Sequence, residues 1–181
     1  KEIDALGGIM GRAIDATAVQ FRMLNTRKGS AVRSSRAQAD RQQYRLWIKH
    51  ALEKTENLDI KQIIIEKILY KDNCAVGVET SLGEQFFARA VIIATGTFLN
   101  GLIHIGLTRF PAGRLGELPS TGISQSLREC GFELGRLKTG TTPRLDGRTI
   151  NFEVMERQDG DIPPRPFSFS TKAINRRQLP C

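Results

Sequence analysis

Chemistry in this sequence has to come from a cationic stretch, from a glycine turn that ends an apolar run, or from a thin scatter of histidine and cysteine. The cationic stretch is Arg22, Arg27, Lys28, Arg33, Arg36, Arg41, Arg45 and Lys49, relieved in that interval only by Asp40. Such a block can neutralise phosphates, each contact releasing counterions and making binding salt-sensitive. A solvated loop and helix face is the other reading, because the aromatic alternation of a single-strand stacking platform does not accompany the charges. The glycine turn is Thr95-Gly96-Thr97, directly after Val91-Ile92-Ile93-Ala94. A bare glycine lets a ligand approach the backbone, and the threonine hydroxyls and turn amides offer donors at the end of a strand where ligands of open α/β sheets bind. An ordinary buried strand with a tight exit is the alternative.

The remaining candidates are weaker. His50 and His104 have no metal-ligand spacing, and no H-x-x-x-H, G-x-S-x-G or paired-carboxylate pattern occurs, so no metal site and no catalytic residue is named. Cys74, Cys130 and Cys181 are far apart and form no C-x-x-C, which argues against a disulfide framework or a zinc site and fits a reducing compartment. His104 follows the glycine turn, where a hydrogen-bonding role in a cleft competes with a purely structural one.

A chain of 181 residues, 40% hydrophobic and 25% charged, can bury a core of its own, and its formal charge of +8 favours an anionic partner. No apolar run reaches the length of a membrane span, and the start at Lys1-Glu2-Ile3-Asp4 resembles no signal or transit peptide.

These residues need elements to hold them. Ile3, Leu6, Ile9, Met10, Ala13 and Ile14 recur at helical spacing despite Gly7, Gly8 and Gly11, and predict one amphipathic helix. Val19 to Leu24 alternates as a strand, and residues 25–35 have the composition of a charged loop. Ser35 with Gln38 matches a capping box, so the spacing predicts a helix at once, burying Tyr44, Trp47, Ile48, Ala51 and Leu52. Asp59 to Tyr70, Ala75 to Thr80 and Gln85 to Ala88 read as a three-stranded meander with turns at Lys71-Asp72-Asn73 and Ser81-Leu82-Gly83-Glu84. The unbroken run Val91 to Ala94 predicts a parallel strand covered on both faces. Beyond it come a long bent connection rich in glycine and proline, and a short helix capped by Ser120 or Ser124 and ended by Gly131. Phe132 to Leu137 then reads as a strand. Residues 159–166 form a proline-rich connector, and Phe167 to Phe169 reads as an edge strand.

Six blocks taken together resemble one family, the tRNA uridine 5-carboxymethylaminomethyl modification enzymes known as MnmG or GidA. They are Glu2-Ile-Asp-Ala-Leu-Gly-Gly8, Gln20-Phe-Arg-Met-Leu-Asn25, Lys28-Gly-Ser-Ala-Val-Arg33, Arg36-Ala-Gln-Ala-Asp-Arg41, Ala94-Thr-Gly-Thr-Phe-Leu-Asn-Gly101 and Gly135-Arg-Leu-Lys-Thr-Gly-Thr141. The resemblance covers nearly the whole chain. Ser30 and Ser35 stand where proline is common, and no departure removes a charge.

The resemblance implies an α/β fold of the FAD-binding, glutathione-reductase-like type, a Rossmann-type parallel sheet with a small antiparallel meander. It places residues 1–150 in the FAD-binding domain, with the meander at 58–88 and the amino-terminal G-x-G-x-x-G unit missing, and makes 151–181 a connector into an inserted second domain. It implies modification of C5 of the tRNA wobble uridine, with FAD, NADH as reductant and methylenetetrahydrofolate as one-carbon source. A potassium-dependent GTPase partner, a homodimer and a cytoplasmic location, mitochondrial in a eukaryote, also follow from it. Ile65 is expected to meet the adenine end of FAD through its backbone, Thr95 and Gly96 to approach the cofactor, and Ser120 to hydrogen-bond near it. Arg27, Lys28, Arg33 and Arg36 are expected at tRNA, with the FAD region a competing claimant. Alternatives are the folate-dependent tRNA uridine methyltransferase, which has a similar fold, and a basic RNA-binding module without cofactor.

Overall fold

The computed structural model describes residues 1–143 and 145–181, which divide into two compact units. The first unit comprises Lys1–Ile60 and Pro143–Cys181, and the second Lys61–Thr142.

In the first unit the expected amphipathic helix is two helices, α1 (Glu2–Ala5) and α2 (Met10–Thr17). Gly7 takes φ +87° and the Gly8 amide donates back to the Ile3 carbonyl at 2.8 Å, a helix ending that a side chain at residue 7 would oppose. Strand β1 (Ala18–Leu24) pairs antiparallel with β2 (Ser34–Ala39), which occupies the place where the capping box predicted a helix start. Ser35 and Gln38 are ladder residues opposite Met23 and Gln20. The cap is Asp40, whose Oδ1 accepts from the Gln42 and Gln43 amides at 3.0 Å each and starts α3 (Arg41–Glu53). Tyr44, Trp47, Ile48, Ala51 and Leu52 are half-buried as the periodicity predicts.

The core of this unit joins Ala18 and Phe21 of β1 to Ile174, with Ile14, Ala37 and Phe167 packed around them. The Phe21 and Phe167 rings lie 6.3 Å apart, tilted by 48°. Residues 167–169 form no strand. Their amides are instead taken by carboxylates: buried Asp15 accepts from Phe167 and Ser168 at 2.7 and 2.9 Å, and Asp4 accepts from Phe169 at 2.7 Å. The Phe169 amide, helped by the Ser168 hydroxyl, holds the Asp4 carboxyl below its ordinary 3.8. Asp161 likewise takes the Met23 amide, and Gln178 takes the Phe21 amide, at 2.7 and 2.8 Å.

In the second unit β3 (Ile65–Lys71), β4 (Cys74–Thr80) and β5 (Gln85–Phe87) form the expected antiparallel meander. Asp72 and Asn73 both take positive φ, 50° and 62°, the backbone of a two-residue hairpin turn. The connection after Gly101 contains an unforeseen hairpin, β6 (Leu102–Ile105) with β7 (Thr108–Pro111). Helix α4 (Gly122–Glu129), preceded by Thr121 and ended at Gly131, lies against β3, where Ile68 and Ile123 are buried.

Two expected strands differ. Residues 132–137 lie in no strand, and Leu137 is 98% exposed. Residues 91–94 join no sheet among the described residues, and Ile92 is 91% exposed. A parallel strand is covered only where neighbouring strands and crossover helices flank it, and the described residues supply neither at this place.

Because Asp15 satisfies two amides in a dry setting, Asp15→Ala should cost about 3 kcal/mol and deprotect the Phe167 and Ser168 amides. Hydrogen exchange of those two amides, compared with denaturant unfolding of the variant, tests this; unchanged protection would show that water replaces the carboxylate freely.

Candidate functional site

The glycine turn is built from outside itself. Ser120, just ahead of α4, donates its amide to the Phe98 carbonyl at 2.9 Å and accepts from the Asn100 amide at 2.7 Å. This is a short parallel bridge between Leu99 and Ser120. The Ser120 hydroxyl donates to the Ile65 carbonyl at 2.9 Å, so the start of β3, the turn and the lead-in to α4 meet at one serine. Within the turn, the Phe98 amide closes back on the Thr95 carbonyl at 3.0 Å and the Thr97 hydroxyl donates to the Gly113 carbonyl at 2.8 Å.

Ser120 thus ties the Ile65 carbonyl to residues 98 and 100, directly after the Thr95-Gly96-Thr97 turn. Gly96 takes φ +55° with open space on the side where a Cβ would stand. The Thr95, Gly96 and Thr97 amides donate to no group among the described residues. Ile63, Ile64 and Ile65 are half-buried beside the Ser120 contact. Amides without a partner and a glycine with clear space can receive acceptor groups of a ligand. His104, on β6 opposite Arg109, is exposed and plays no part in the turn.

Sequence reading missed Glu66, whose Oε2 accepts from the Gly122 amide at 2.7 Å; their separation of 56 positions hides the pairing. It also missed a groove of about 640 Å³ on the meander, lined among others by Lys67, Tyr70, Phe87, Glu129 and Cys130. There the Cys130 thiol, by hydrogen bonding, pushes the Tyr70 phenol above its ordinary 10.0. No signal in the sequence joins these residues, which come from separate elements.

In the other unit the cationic block divides in two. Arg27, Lys28 and Arg33 are exposed on the loop between β1 and β2, whose shape is held by Asn25 Nδ2 donating to the Val32 carbonyl at 3.1 Å and Arg33 to the Thr26 carbonyl at 3.3 Å. Among the described residues none of these cations forms an ion pair. Arg36 is different: half-buried on β2, it donates from Nη2 to the Oε1 of fully buried Gln20 at 2.7 Å. Gln20 in turn donates to the Gln158 and Leu179 carbonyls at 2.9 and 3.0 Å. Arg22 is also engaged internally, with Gln158 at 3.2 Å. The three cysteines are free thiols, and among the described residues no cluster of side chains could hold a metal ion. No helix of the described residues is long and apolar enough to cross a membrane.

Comparison with known proteins places this geometry in context. The family model described as "Glucose inhibited division protein A" matches residues 1–181. The tRNA uridine 5-carboxymethylaminomethyl modification enzyme MnmG of Geotalea uraniireducens is 60% identical over all 181 residues, and that of Geobacter metallireducens 59%. The chain spans 29% of the length of each of these relatives. The crystal structure of Aquifex aeolicus GidA superposes with a TM-score of 0.90 at 51% identity, covering 99% of this chain and 31% of that one. The fold is therefore that of GidA, a mixed α/β arrangement consistent with an FAD-binding Rossmann-type domain.

The turn should be intolerant at Gly113, where an added Cβ would come within 2.1 Å of the Phe98 ring. Gly113→Ala should cost roughly 1–3 kcal/mol by overpacking and speed exchange of the Ser120 amide. A variant with wild-type stability and protection would show that Phe98 can swing away at no cost.

Proposed function

The chain belongs to the glucose inhibited division protein A family, and on that premise we propose that it supplies part of the cofactor domain of an FAD-dependent enzyme that modifies C5 of the tRNA wobble uridine. The observation that carries this reading is 60% identity, without loss of coverage, to a relative named as a tRNA uridine 5-carboxymethylaminomethyl modification enzyme. FAD, when bound, would supply the redox and one-carbon carrier chemistry. The residues of this chain bind and orient it: Ile65 through its backbone, Thr95 and Gly96 through unspent amides, and Ser120 by fixing the two against each other. Their amide donors and the open side of Gly96 suit the adenosine end, and their part in this reading is to bind and orient. The same reading takes NADH as reductant, methylenetetrahydrofolate as carbon source, a potassium-dependent GTPase as partner, a homodimer as the assembly and the cytoplasm as the location.

The exposed cations Arg27, Lys28 and Arg33 serve tRNA phosphates in this reading, because they spend no charge on carboxylates and stand on a braced loop. Phosphate contacts position the nucleic acid without reading its sequence. Arg36, expected alongside them and standing on β2 beside that loop, donates from Nη2 to Gln20 and keeps its charge for the same role.

Two measurements in the full-length protein test the reading. Gly96→Val forces a β-branched residue to φ +55° and into the open side of the turn; FAD should be lost on purification, and normal flavin content would remove the turn from the cofactor site. Replacing Arg27, Lys28 and Arg33 by alanine should weaken tRNA binding and reduce the slope of log affinity against log salt by about one for each phosphate no longer neutralised. An unchanged slope would return these residues to a solvated loop.

A further inference from the structure

We propose that Glu66 is a positioning residue for the adenosine end of FAD, acting through Ser120 on the edge formed by Ile65 and the Thr95–Gly96 turn. The inference rests on the cofactor reading above. Glu66 follows Ile65 on β3, and its Oε2 accepts from the Gly122 amide at 2.7 Å. Two residues before Gly122, Ser120 donates its hydroxyl to the Ile65 carbonyl at 2.9 Å. One carboxylate therefore fixes the separation between the Ile65 backbone and Ser120. Ser120 passes that register to the turn by two backbone bonds, to the Phe98 carbonyl at 2.9 Å and from the Asn100 amide at 2.7 Å.

The fit at Gly122 is close. An added Cβ would stand 2.0 Å from Glu66 Oε2 and 2.5 Å from the Glu66 carbonyl, so the carboxylate fills the space that a side chain at 122 would need. Its charge also lies at the amino end of α4, where it complements the helix dipole. The consequence for ligand choice is direct. With a carboxylate seated at the Gly122 amide, that end of α4 is disfavoured for a phosphate, since a second anion nearby would be repelled. The edge then accepts the uncharged adenosine and leaves the diphosphate to other amides.

Simple docking of α4 does not require Glu66 for this purpose. The Ser126 hydroxyl accepts from the Ile68 amide at 2.9 Å, one turn further along α4, and Ile123 is buried on the same side. Ser126 makes no bond to Ser120 or the turn, so it separates a positioning effect from a general loss of packing.

The experiment measures FAD affinity by flavin fluorescence, and thermal unfolding without FAD, on full-length wild type, Glu66→Ala, Glu66→Asp, Glu66→Gln and Ser126→Ala. Glu66→Ala should raise the FAD dissociation constant roughly tenfold. Glu66→Asp, too short by one methylene but still charged, should weaken it in the same direction if the alanine variant does not fold. Glu66→Gln, which keeps an acceptor oxygen, should bind within about threefold of wild type. Ser126→Ala should lower the unfolding temperature with FAD affinity unchanged. Wild-type affinity in both Glu66→Ala and Glu66→Asp, or equal weakening in Ser126→Ala, overturns the inference while leaving the cofactor reading intact. A wild-type protein that does not bind FAD overturns both.

Discussion

Backbone outside a ladder must still find partners for its amides and carbonyls, and this chain meets that requirement with side chains. In the first unit the stretch from 158 to 181 has no strand among its described residues, yet Asp4, Asp15, Gln20, Asp161 and Gln178 bind its backbone or pin it to β1. In the second unit Ser120, Glu66 and Ser126 do the same between β3, the glycine turn and α4. The arrangement is sensitive to small chemical changes because each polar side chain serves a specific amide or carbonyl. A ladder distributes the same task over many equivalent bonds, so the loss of one member is felt less.

What could be read from sequence follows from the range of the interactions. Asp72-Asn73 announced a hairpin because positive φ selects those residues locally, and the half-buried face of α3 followed from spacing alone. Ser35 and Gln38 misled because a capping box and a polar strand pair share the same letters; the register with β1 decided, and Asp40 offered a better cap five residues on. Val91 to Ala94 has the composition of a covered strand, but composition cannot report whether neighbours are there to cover it. The grouping of Ile65, Thr95, Gly96 and Ser120 came from resemblance, whereas the bonds from Ser120 to the Ile65, Phe98 and Asn100 backbones carry no mark in the sequence. Glu66 gave no signal because its partner lies 56 residues away and is a backbone amide, which has no side chain to betray it.

The members of the cationic block differ in what holds them. Arg22, Arg33 and Arg36 look alike in sequence, but Arg36 spends its guanidinium on a buried amide side chain and Arg22 on Gln158. Arg33 braces its own loop while staying exposed. The glutamine partners of Arg22 and Arg36 are neutral, so these bonds fix where the two guanidinium groups point and leave their charge intact.

The extended stretch Val91 to Ala94 has a further bearing on handling. Its peptide groups are unspent among the described residues and Ile92 is bare to solvent, so it has the properties of an open sheet edge on both sides. A lysine at position 92 would place a charge on that exposed backbone, the device by which natural sheet edges are kept from pairing.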